Sequence, residues 1–245
     1  MKKAGLSQET LKSIACLTML IDHVGATVVL QMYRSGPGLG LYWLYWVMRI
    51  IGRAAFPIYC FLLAEGAYYT RSPRKYTLRL LIGALLSELP FDLAFFGGWT
   101  WEHQSVMITL LFGFFALEIM KKCHNPLLKV LAIAPFALAA ELLNTDYGGY
   151  GVAMIVLFGL TRELPRRGWL QLAGLALICW AMDSAAVVIG GISVPVELFA
   201  LVSMLPIALY SGRKATGSRA VQTGFYLFYP VHLAMLAVIM ALVWG

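Results

Sequence analysis

Two side chains that can exchange protons, Asp22 and His23, stand next to each other in the otherwise apolar run MLIDHVG. An ionisable group at the centre of a membrane span costs roughly 2.5–3.5 kcal/mol on insertion scales unless it meets a partner or water. A neutral imidazole can take a proton from an amine or hydroxyl, or can accept an acyl group as a nucleophile. The pair therefore indicates either a reactive centre or, as the simpler alternative, a hydrogen-bonding contact between helices.

The adjacency of the two residues limits what they can do for each other. Neighbouring positions on an α-helix point about 100° apart, so Asp22 is badly placed to orient His23 and is expected to face Arg53. A carboxylate from another helix is expected to hold the imidazole, and Glu88 is the best placed by depth. His23 lies roughly 18 Å along its helix, and His232 falls at a similar depth. Several ionisable groups at one level predict a shared polar interior and a catalytic set of His23, Asp22 and Glu88.

Two charged pairs with a spacing of four residues support a polar layer. Arg49 and Arg53 share one helical face, and so do Glu88 and Asp92 on the following span. The short turn TRSPRK makes these spans antiparallel neighbours, which predicts that Arg49 meets Asp92 and that Arg53 meets Glu88. Ion pairs that only fasten the two helices together are the alternative interpretation.

The composition shows which kind of protein must position these groups. Of the 245 residues, 60% are hydrophobic and only 13% are charged, with a mean hydropathy of +0.77, a balance that soluble globular domains do not approach. The four cysteines show no paired spacing typical of zinc or of a disulfide framework, and no metal ligands are predicted. Each bilayer crossing needs roughly 20 apolar residues, which predicts about nine spans at 11–32, 43–69, 76–96, 104–120, 126–143, 149–163, 169–188, 194–210 and 220–244. We therefore predict an all-α, polytopic transmembrane helix bundle that forms a single domain over residues 1–245.

The distribution of basic residues predicts the orientation of the bundle. Sixteen of the nineteen Lys and Arg residues fall on alternate breaks between spans: Lys2, Lys3 and Lys12; Arg71, Arg74, Lys75 and Arg79; Lys121, Lys122 and Lys129; Arg162, Arg166 and Arg167; Arg213, Lys214 and Arg219. By the positive-inside rule the N-terminus is cytoplasmic and, with an odd number of spans, the C-terminus lies outside. The net charge of +7 is explained by this pattern and by anionic lipid, so no nucleic-acid partner is expected.

Some of these cations, together with Arg53, also line the cytoplasmic mouth of the predicted polar layer. They can receive the phosphates of an anionic donor in addition to marking topology. The residues assigned to this binding role are Lys12, Arg53, Arg71, Arg74, Lys75 and Arg79.

The chain resembles the TraX family in a series of ordered segments. They are LKSIACLTMLIDHVG, RIIGRAAFPIYCFLLAEG, RKYTLRLLIGALLSELPFDLAFF, DYGGYG and FYPVHL, and they run from the first span to the last. The founding member of that family is associated with N-terminal acetylation of conjugative pilin. The wider relatives, the acyltransferase-3 superfamily, carry a basic residue, ten intervening residues and a histidine on the first helix. Lys12 and His23 have that spacing here, with lysine in place of the more familiar arginine.

The resemblance implies an acetyltransferase of the bacterial cytoplasmic membrane. Acetyl-CoA would donate the acetyl group from the cytosol, and His23 would act as base or acyl carrier. The acceptor would be a membrane-associated peptide, pilin-like or another small molecule, and a peptide N-terminus is favoured. The residues expected to bind this acceptor or to stabilise the oxyanion are Tyr229, His232, Asp92, Arg49 and Asp146.

Two other functions fit part of the pattern. A proton-coupled transporter would use Asp22, His23, Arg53 and Glu88 as a proton relay, but no repeat symmetry or matched pair of broken helices is apparent. A purely structural membrane partner would need every charge in the polar layer to be a fastening contact.

Overall fold

The computed structural model describes residues 5–182, 185–213 and 218–244. Of the residues used above to predict topology, Lys2, Lys3 and Lys214 lie outside the described residues. Most of the described chain is helical. In chain order the elements are α1 (Gln8–Val24), a π-helical turn (Gly25–Val29), α2 (Leu30–Ser35), α3 (Leu39–Gly52), α4 (Ala55–Tyr69), α5 (Pro73–Phe96), α6 (Val106–Met120), α7 (Pro126–Leu142), α8 (Gly148–Thr161), α9 (Arg167–Ala181), β1 (Ala186–Ile189), β2 (Ile192–Pro195), a 3₁₀-helix (Val196–Ser203), α10 (Met204–Ala208) and α11 (Arg219–Trp244).

The first helix is capped at its start and widened just beyond His23. The Ser7 hydroxyl accepts a hydrogen bond from the Thr10 amide at 3.2 Å, which satisfies one of the unpaired donors of the first turn. After Val24 the helix passes through the π turn and continues into α2, giving one helical segment over Gln8–Ser35. Single π turns of this kind are frequent at functional sites.

The second long segment is broken where the sequence carries a proline. A single span over 43–69 is predicted, and one helical segment long enough to cross a membrane covers Leu39–Tyr69. Within it, a short turn separates α3, which ends at Gly52, from α4, which begins at Ala55. Pro57 has no N–H to bond the carbonyl of Arg53, and its ring crowds that carbonyl. The helix therefore opens at Arg53, a residue of the predicted polar layer.

The chain divides into two compact units. The first unit comprises Met1–Tyr59, Pro90–Gly98 and Cys179–Gly245, and the second comprises Cys60–Leu89 and Trp99–Ile178. This division into units does not test whether the chain forms one domain, so the single domain stays a prediction.

In the first unit α1 packs against α3 and α11. Glycine allows the contact with α3 to be close, because a Cβ at Gly52 would lie 2.2 Å from the Cβ of Asp22. The α1 and α11 helices run parallel: Lys12 lies over the ring of Phe225 at 5.5 Å, and further along both helices His23 contacts His232. Their N-terminal ends therefore lie at the same end of the unit.

The second unit is organised by the packing of α6, α7 and α8. Small residues again allow close approach, since a Cβ at Gly113 would lie 2.2 Å from Ile155 Cδ1 and a Cβ at Gly159 would lie 2.3 Å from Leu117 Cδ2. Packing through small residues is the usual means of helix association in membranes. The buried residues at its centre are Ala116, Ala140, Val152 and Val156.

The all-α prediction is wrong at one place, between α9 and α10. The strands β1 and β2 form an antiparallel hairpin in which Ile189 pairs with Ile192. Gly190 and Gly191 have φ values of 59° and 82°, as a two-residue type I′ turn requires. The span predicted at 169–188 therefore ends as a helix at Ala181, and the span predicted at 194–210 is divided between the 3₁₀-helix and α10.

The structure agrees with a helical membrane protein. Among the described residues, three helices are long and apolar enough to cross a membrane, namely Gln8–Ser35, Leu39–Tyr69 and Ala220–Trp244. Shorter apolar helices cover Val106–Met120, Gly148–Thr161 and Val196–Ala208. Nine crossings and their orientation stay predictions.

Candidate functional site

The centre of the candidate site is a pair of buried histidines in the first unit. His23 Nδ1 lies 2.7 Å from His232 Nε2, and the rings are stacked with centroids 4.9 Å apart. Only 8% of His23 and 4% of His232 are exposed. The π turn that follows His23 lets Thr27 donate a hydrogen bond to the His23 carbonyl at 2.7 Å, which fixes the backbone there.

The hydrogen bonds of the neutral pair define which ring nitrogen of His23 is available. His232 Nδ1 lies 2.7 Å from the carbonyl oxygen of Phe228. Because a carbonyl can only accept, this nitrogen of His232 carries the proton and its Nε2 accepts. His23 Nδ1 must then be the donor in the contact between the rings. The remaining nitrogen, His23 Nε2, carries a lone pair and no proton.

Aromatic rings enclose the histidine pair. Phe95 meets the His23 ring edge-on with centroids 5.3 Å apart, and Tyr229 lies 6.0 Å from the same ring. Tyr229 also lies 5.6 Å from the ring of His232, and Phe228 stacks on that ring at 4.8 Å. Such walls limit the access of water, which favours transfer of a group over its hydrolysis.

A cluster of four charged side chains, the buried charge cluster, adjoins His23 through its neighbour Asp22. The two Asp22 oxygens accept hydrogen bonds from Arg49 at 2.6 Å and from Arg53 at 2.7 Å. Arg53 also binds Glu197 Oε1 at 2.5 Å. Two cations and two anions balance each other, so the cluster holds α1, α3 and the 3₁₀-helix together without net charge.

These contacts correct two predicted pairings and confirm a third. The expected pair of Arg49 with Asp92 is wrong, because Arg49 binds Asp22, which Gly52 allows to approach α3 closely. The polar partner of the His23 ring is His232 rather than a carboxylate. Arg53 binds Asp22, as predicted, and also Glu197.

Glu88, the carboxylate predicted to hold the imidazole, belongs to the second unit and contacts Ser105 there. It accepts hydrogen bonds from the Ser105 amide at 3.1 Å and from the Ser105 hydroxyl at 2.6 Å. Because Ser105 begins the chain into α6, this contact anchors the start of that helix. A catalytic role of Glu88 stays a prediction.

The other predicted binding residues have diverse surroundings. Lys12 lies in the first unit, over Phe225, and Tyr229 and the buried Asp92 also belong to that unit. Asp146 is exposed in the second unit, before a turn in which Tyr147 has a φ of 66°. The exposed cations of the second unit, at the start of α5 and just before it, are Arg71, Arg74, Lys75 and Arg79. Their common role in donor binding stays a prediction.

Sequence reasoning missed Glu197, which is only 4% exposed. Its Oε2 atom has no hydrogen-bond partner within the part of the chain that the structure describes. The signal was present, because an acidic residue inside the apolar run VPVELFA needs a buried cationic partner. Because Arg53 was predicted to pair with Glu88, no cation was sought for Glu197.

The fold and the site together define a helical membrane protein with a buried, charge-balanced cluster beside a histidine pair. The chain belongs to the TraX family: the family model described as "TraX protein" matches residues 7–240. The chain is also 30% identical over 249 residues to the probable fimbrial assembly protein FimC, serogroup H1, of Dichelobacter nodosus, a match that covers 92% of each chain. No solved structure matches the chain.

Proposed function

We propose that the protein is an acetyltransferase embedded in the bacterial cytoplasmic membrane. It moves an acetyl group from cytosolic acetyl-CoA to an amine or hydroxyl of a membrane-associated or exported acceptor, with a peptide N-terminus favoured. The observation that carries the proposal is the buried contact between His23 Nδ1 and His232 Nε2, from which we infer a lone pair on His23 Nε2. Membership of the TraX family and the similarity to a fimbrial assembly protein support a pilin-like acceptor.

In the first possible route His23 acts as a general base. Nε2 removes a proton from the acceptor amine while the amine nitrogen attacks the thioester carbonyl. The bond between carbonyl carbon and sulfur then breaks, and the CoA thiolate takes the proton back from His23. His23 Nδ1 keeps its hydrogen bond to His232 throughout, so the ring does not turn during the proton transfers.

In the second possible route His23 carries the acyl group. Nε2 attacks the thioester carbonyl and CoA leaves as a thiolate, which gives an acetyl-imidazolium on His23 because Nδ1 keeps its proton. The acceptor amine then attacks this carbonyl, the bonding electron pair returns to Nε2, and the proton lost by the amine goes to the CoA thiolate. In this route Tyr229, whose ring lies 6.0 Å from that of His23, would stabilise the oxygen on which charge develops.

The buried charge cluster positions the base in either route. Asp22 precedes His23 and is held by two arginines. These contacts prevent α1 from rotating about its own axis at the position of His23.

Transfer of labelled acetyl-CoA to a peptide with a free N-terminus tests the proposal. The protein is reconstituted in lipid nanodiscs, and the same peptide with a blocked N-terminus serves as the acceptor control. We expect His23→Ala to reduce transfer on the order of 10²–10⁴-fold, as for loss of a general base. The matched control is His124→Ala, which removes an exposed histidine of the second unit and should leave the rate unchanged.

Mass spectrometry without acceptor separates the two routes. An acetyl group on His23 and one equivalent of released CoA identify the carrier route, whereas an unmodified ring identifies the base. A fully active His23→Ala protein would overturn the proposal. Substrate flux into proteoliposomes without acetyl-CoA, lost in the same variant, would identify a transporter instead.

A further inference from the structure

The 3₁₀-helix of the first unit, Val196–Ser203, carries three buried residues in one line. Glu197, Ala200 and Ser203, the buried line, are 4%, 1% and 0% exposed. A 3₁₀-helix has about three residues per turn, so residues three and six apart lie directly above one another. In an α-helix Glu197 and Ser203 would instead point about 120° apart. The 3₁₀ geometry therefore places a carboxylate and a hydroxyl on the same buried face.

Both polar side chains of the buried line carry an oxygen that has no hydrogen-bond partner among the residues that the structure describes. These atoms are Glu197 Oε2 and Ser203 Oγ. The two Cα atoms are separated by roughly 12 Å along the helix, so the side chains are too short to bond each other directly. Between them Ala200 contributes only a methyl group. A buried oxygen is costly without a hydrogen bond, and buried water is the usual partner where protein groups supply none.

Glu197 joins the buried line to the buried charge cluster. Both carboxylate oxygens of Asp22 accept hydrogen bonds from arginines, and so does Glu197 Oε1. Within the described residues, Glu197 Oε2 is therefore the carboxylate oxygen of the cluster that is left to take a proton. The charged groups that face Glu197 are Arg53 and, across it, Asp22, and the buried Cys179 of α9 lies close enough to interact with its charge.

The buried line points from the charge cluster toward the start of α1. Glu197 lies at the level of Asp22, since both bind Arg53. Further along the same segment, Leu209 O accepts a hydrogen bond from Leu6 N at 2.8 Å. The rise from Leu6 to Asp22 is roughly 24 Å, and the rise from Glu197 to Leu209 is roughly 21 Å. The two segments therefore run antiparallel, and the buried line covers more than half of the distance to the end at which α1 begins.

We propose that Glu197 and Ser203 hold a short chain of water molecules, and that Glu197 takes up the proton that a peptide acceptor loses on acetylation. The inference rests on the proposed function and adds a proton route to it. An α-amino group has a pKa of about 7.7–8.0, so it arrives mostly as an ammonium. Its acetylation by acetyl-CoA yields the amide, the CoA thiol and one proton. Glu197 Oε2 accepts this proton, and the water chain then carries it toward the end at which α1 begins, which restores the carboxylate.

Two acceptors that differ in charge test the role of Glu197. A peptide with an ordinary N-terminus arrives as an ammonium, whereas a peptide with an arylamine in place of that amine arrives neutral and releases no net proton. In nanodiscs at neutral pH, we expect Glu197→Gln to slow acetylation of the ammonium peptide on the order of 10²-fold more than that of the arylamine peptide. Damage to the ion pair with Arg53 would slow both acceptors equally, so the ratio of the two rates isolates the proton step.

Ser203→Ala tests the water chain with a smaller change. Ser203 and Ser87 are both 0% exposed, but the Ser87 hydroxyl donates a hydrogen bond to the Gly83 carbonyl within its own helix. We expect Ser203→Ala to slow acetylation of the ammonium peptide severalfold and to leave the arylamine peptide unchanged, because one link of the water chain is lost. The matched control Ser87→Ala should change neither rate.

Hydroxyl-radical labelling by X-ray radiolysis detects the water itself and requires no turnover. Met204 is the chain neighbour of Ser203, and Met107 in the second unit is equally buried, since both are 9% exposed. Because the radicals form from water in place, we expect Met204 to be oxidised severalfold faster than Met107. Ala200→Val adds bulk to the buried line and should remove this difference.

The outcomes separate this inference from the proposed function. An unchanged ratio of the two acetylation rates in Glu197→Gln or in Ser203→Ala would overturn the proton route, even if His23→Ala abolishes transfer. Equal oxidation of Met204 and Met107 would overturn the water chain. Faster oxidation of Met204 in a protein that transfers no acetyl group would support the water chain and count against the proposed function.

Discussion

Each unit of the molecule pairs an arginine with a buried carboxylate, and the two arginines have different neighbours. In the first unit Arg53 binds Asp22 and Glu197, within the buried charge cluster. In the second unit Arg162 binds Glu65 at 2.7 Å and stacks over the ring of Tyr68 at 3.5 Å. Both guanidinium groups are therefore paired and largely removed from water.

The difference lies in what each arginine holds in place. The pair of Arg162 with Glu65 joins the end of α8 to α4. The Arg53 contacts hold Asp22, whose chain neighbour His23 has a ring nitrogen that makes no hydrogen bond to His232. A buried ion pair alone is thus no sign of a functional site, because it occurs in both units. Its position beside a group able to exchange protons is what distinguishes the first unit.

The largest expected effect comes from removing each arginine. Arg53→Met leaves Glu197 without its cation and Asp22 with Arg49 alone, and Arg162→Met leaves Glu65 without its cation. Removal of one partner from a buried ion pair costs about 3–5 kcal/mol of the free energy of unfolding. We expect both variants to unfold earlier on heating in detergent, and only Arg53→Met to lose acetyl transfer in the fraction that remains folded.

Charge-keeping variants serve as the control for this comparison. Lysine keeps the charge but not the forked geometry of arginine, so Arg53→Lys should recover stability better than transfer. If Arg162→Met reduced transfer per folded molecule as strongly as Arg53→Met, the functional distinction between the two clusters would be lost.

A second prediction concerns His232, whose Nε2 accepts the hydrogen bond that fixes the His23 ring. His232→Leu removes this hydrogen-bond acceptor and leaves His23 Nδ1–H unsatisfied, so the ring can turn and present the wrong nitrogen. Misplacement of a reacting group by 1 Å can cost about 10²-fold in rate, and we expect a loss of that order in kcat. His232→Gln supplies an amide oxygen in the same region and should recover much of the rate.

The glutamine rescue separates positioning from packing. Leucine and glutamine have similar volumes, so equal losses in both variants, measured as kcat per folded molecule, would mean that the ring of His232 only fills space. Nitrogen NMR of labelled histidine offers a direct check, since the tautomer of His23 should be single in the natural protein and mixed in His232→Leu.

The sequence predicted the helices better than the contacts between them. The apolar runs at 104–120 and 149–163 match α6 and α8 closely, because each is bounded by polar breaks. The hairpin was missed although VVIGGISV carries its pattern, two β-branched runs separated by Gly-Gly. An apolar strand adjoining an apolar helix reads as one long span when hydropathy alone is considered.

The sequence predicted how deep the site residues lie along their helices, but it did not predict which helix faces meet. Counting residues along the helices placed His23 and His232 at one level, and they are in contact. Which face of each helix meets which neighbour depends on packing, and no local pattern shows that α11, at the far end of the sequence, lies beside α1. The Arg49 pairing failed for the same reason, because the close approach at Gly52 brings Asp22 to it.

The smallest predicted effect tests these close approaches, using one glycine from each unit. A Cβ would meet Asp22 at 2.2 Å in Gly52→Ala and Ile155 at 2.2 Å in Gly113→Ala. Overpacking costs about 1–3 kcal/mol. The cost should be lower at Gly113, because the clashing Ile155 Cδ1 ends a flexible side chain, whereas Asp22 is short and held by two arginines.

Both variants should melt earlier in detergent, and only Gly52→Ala should slow acetyl transfer, because it displaces the residue next to His23. Equal rates in the two variants would mean that the position of Asp22 has no influence on the imidazole beside it.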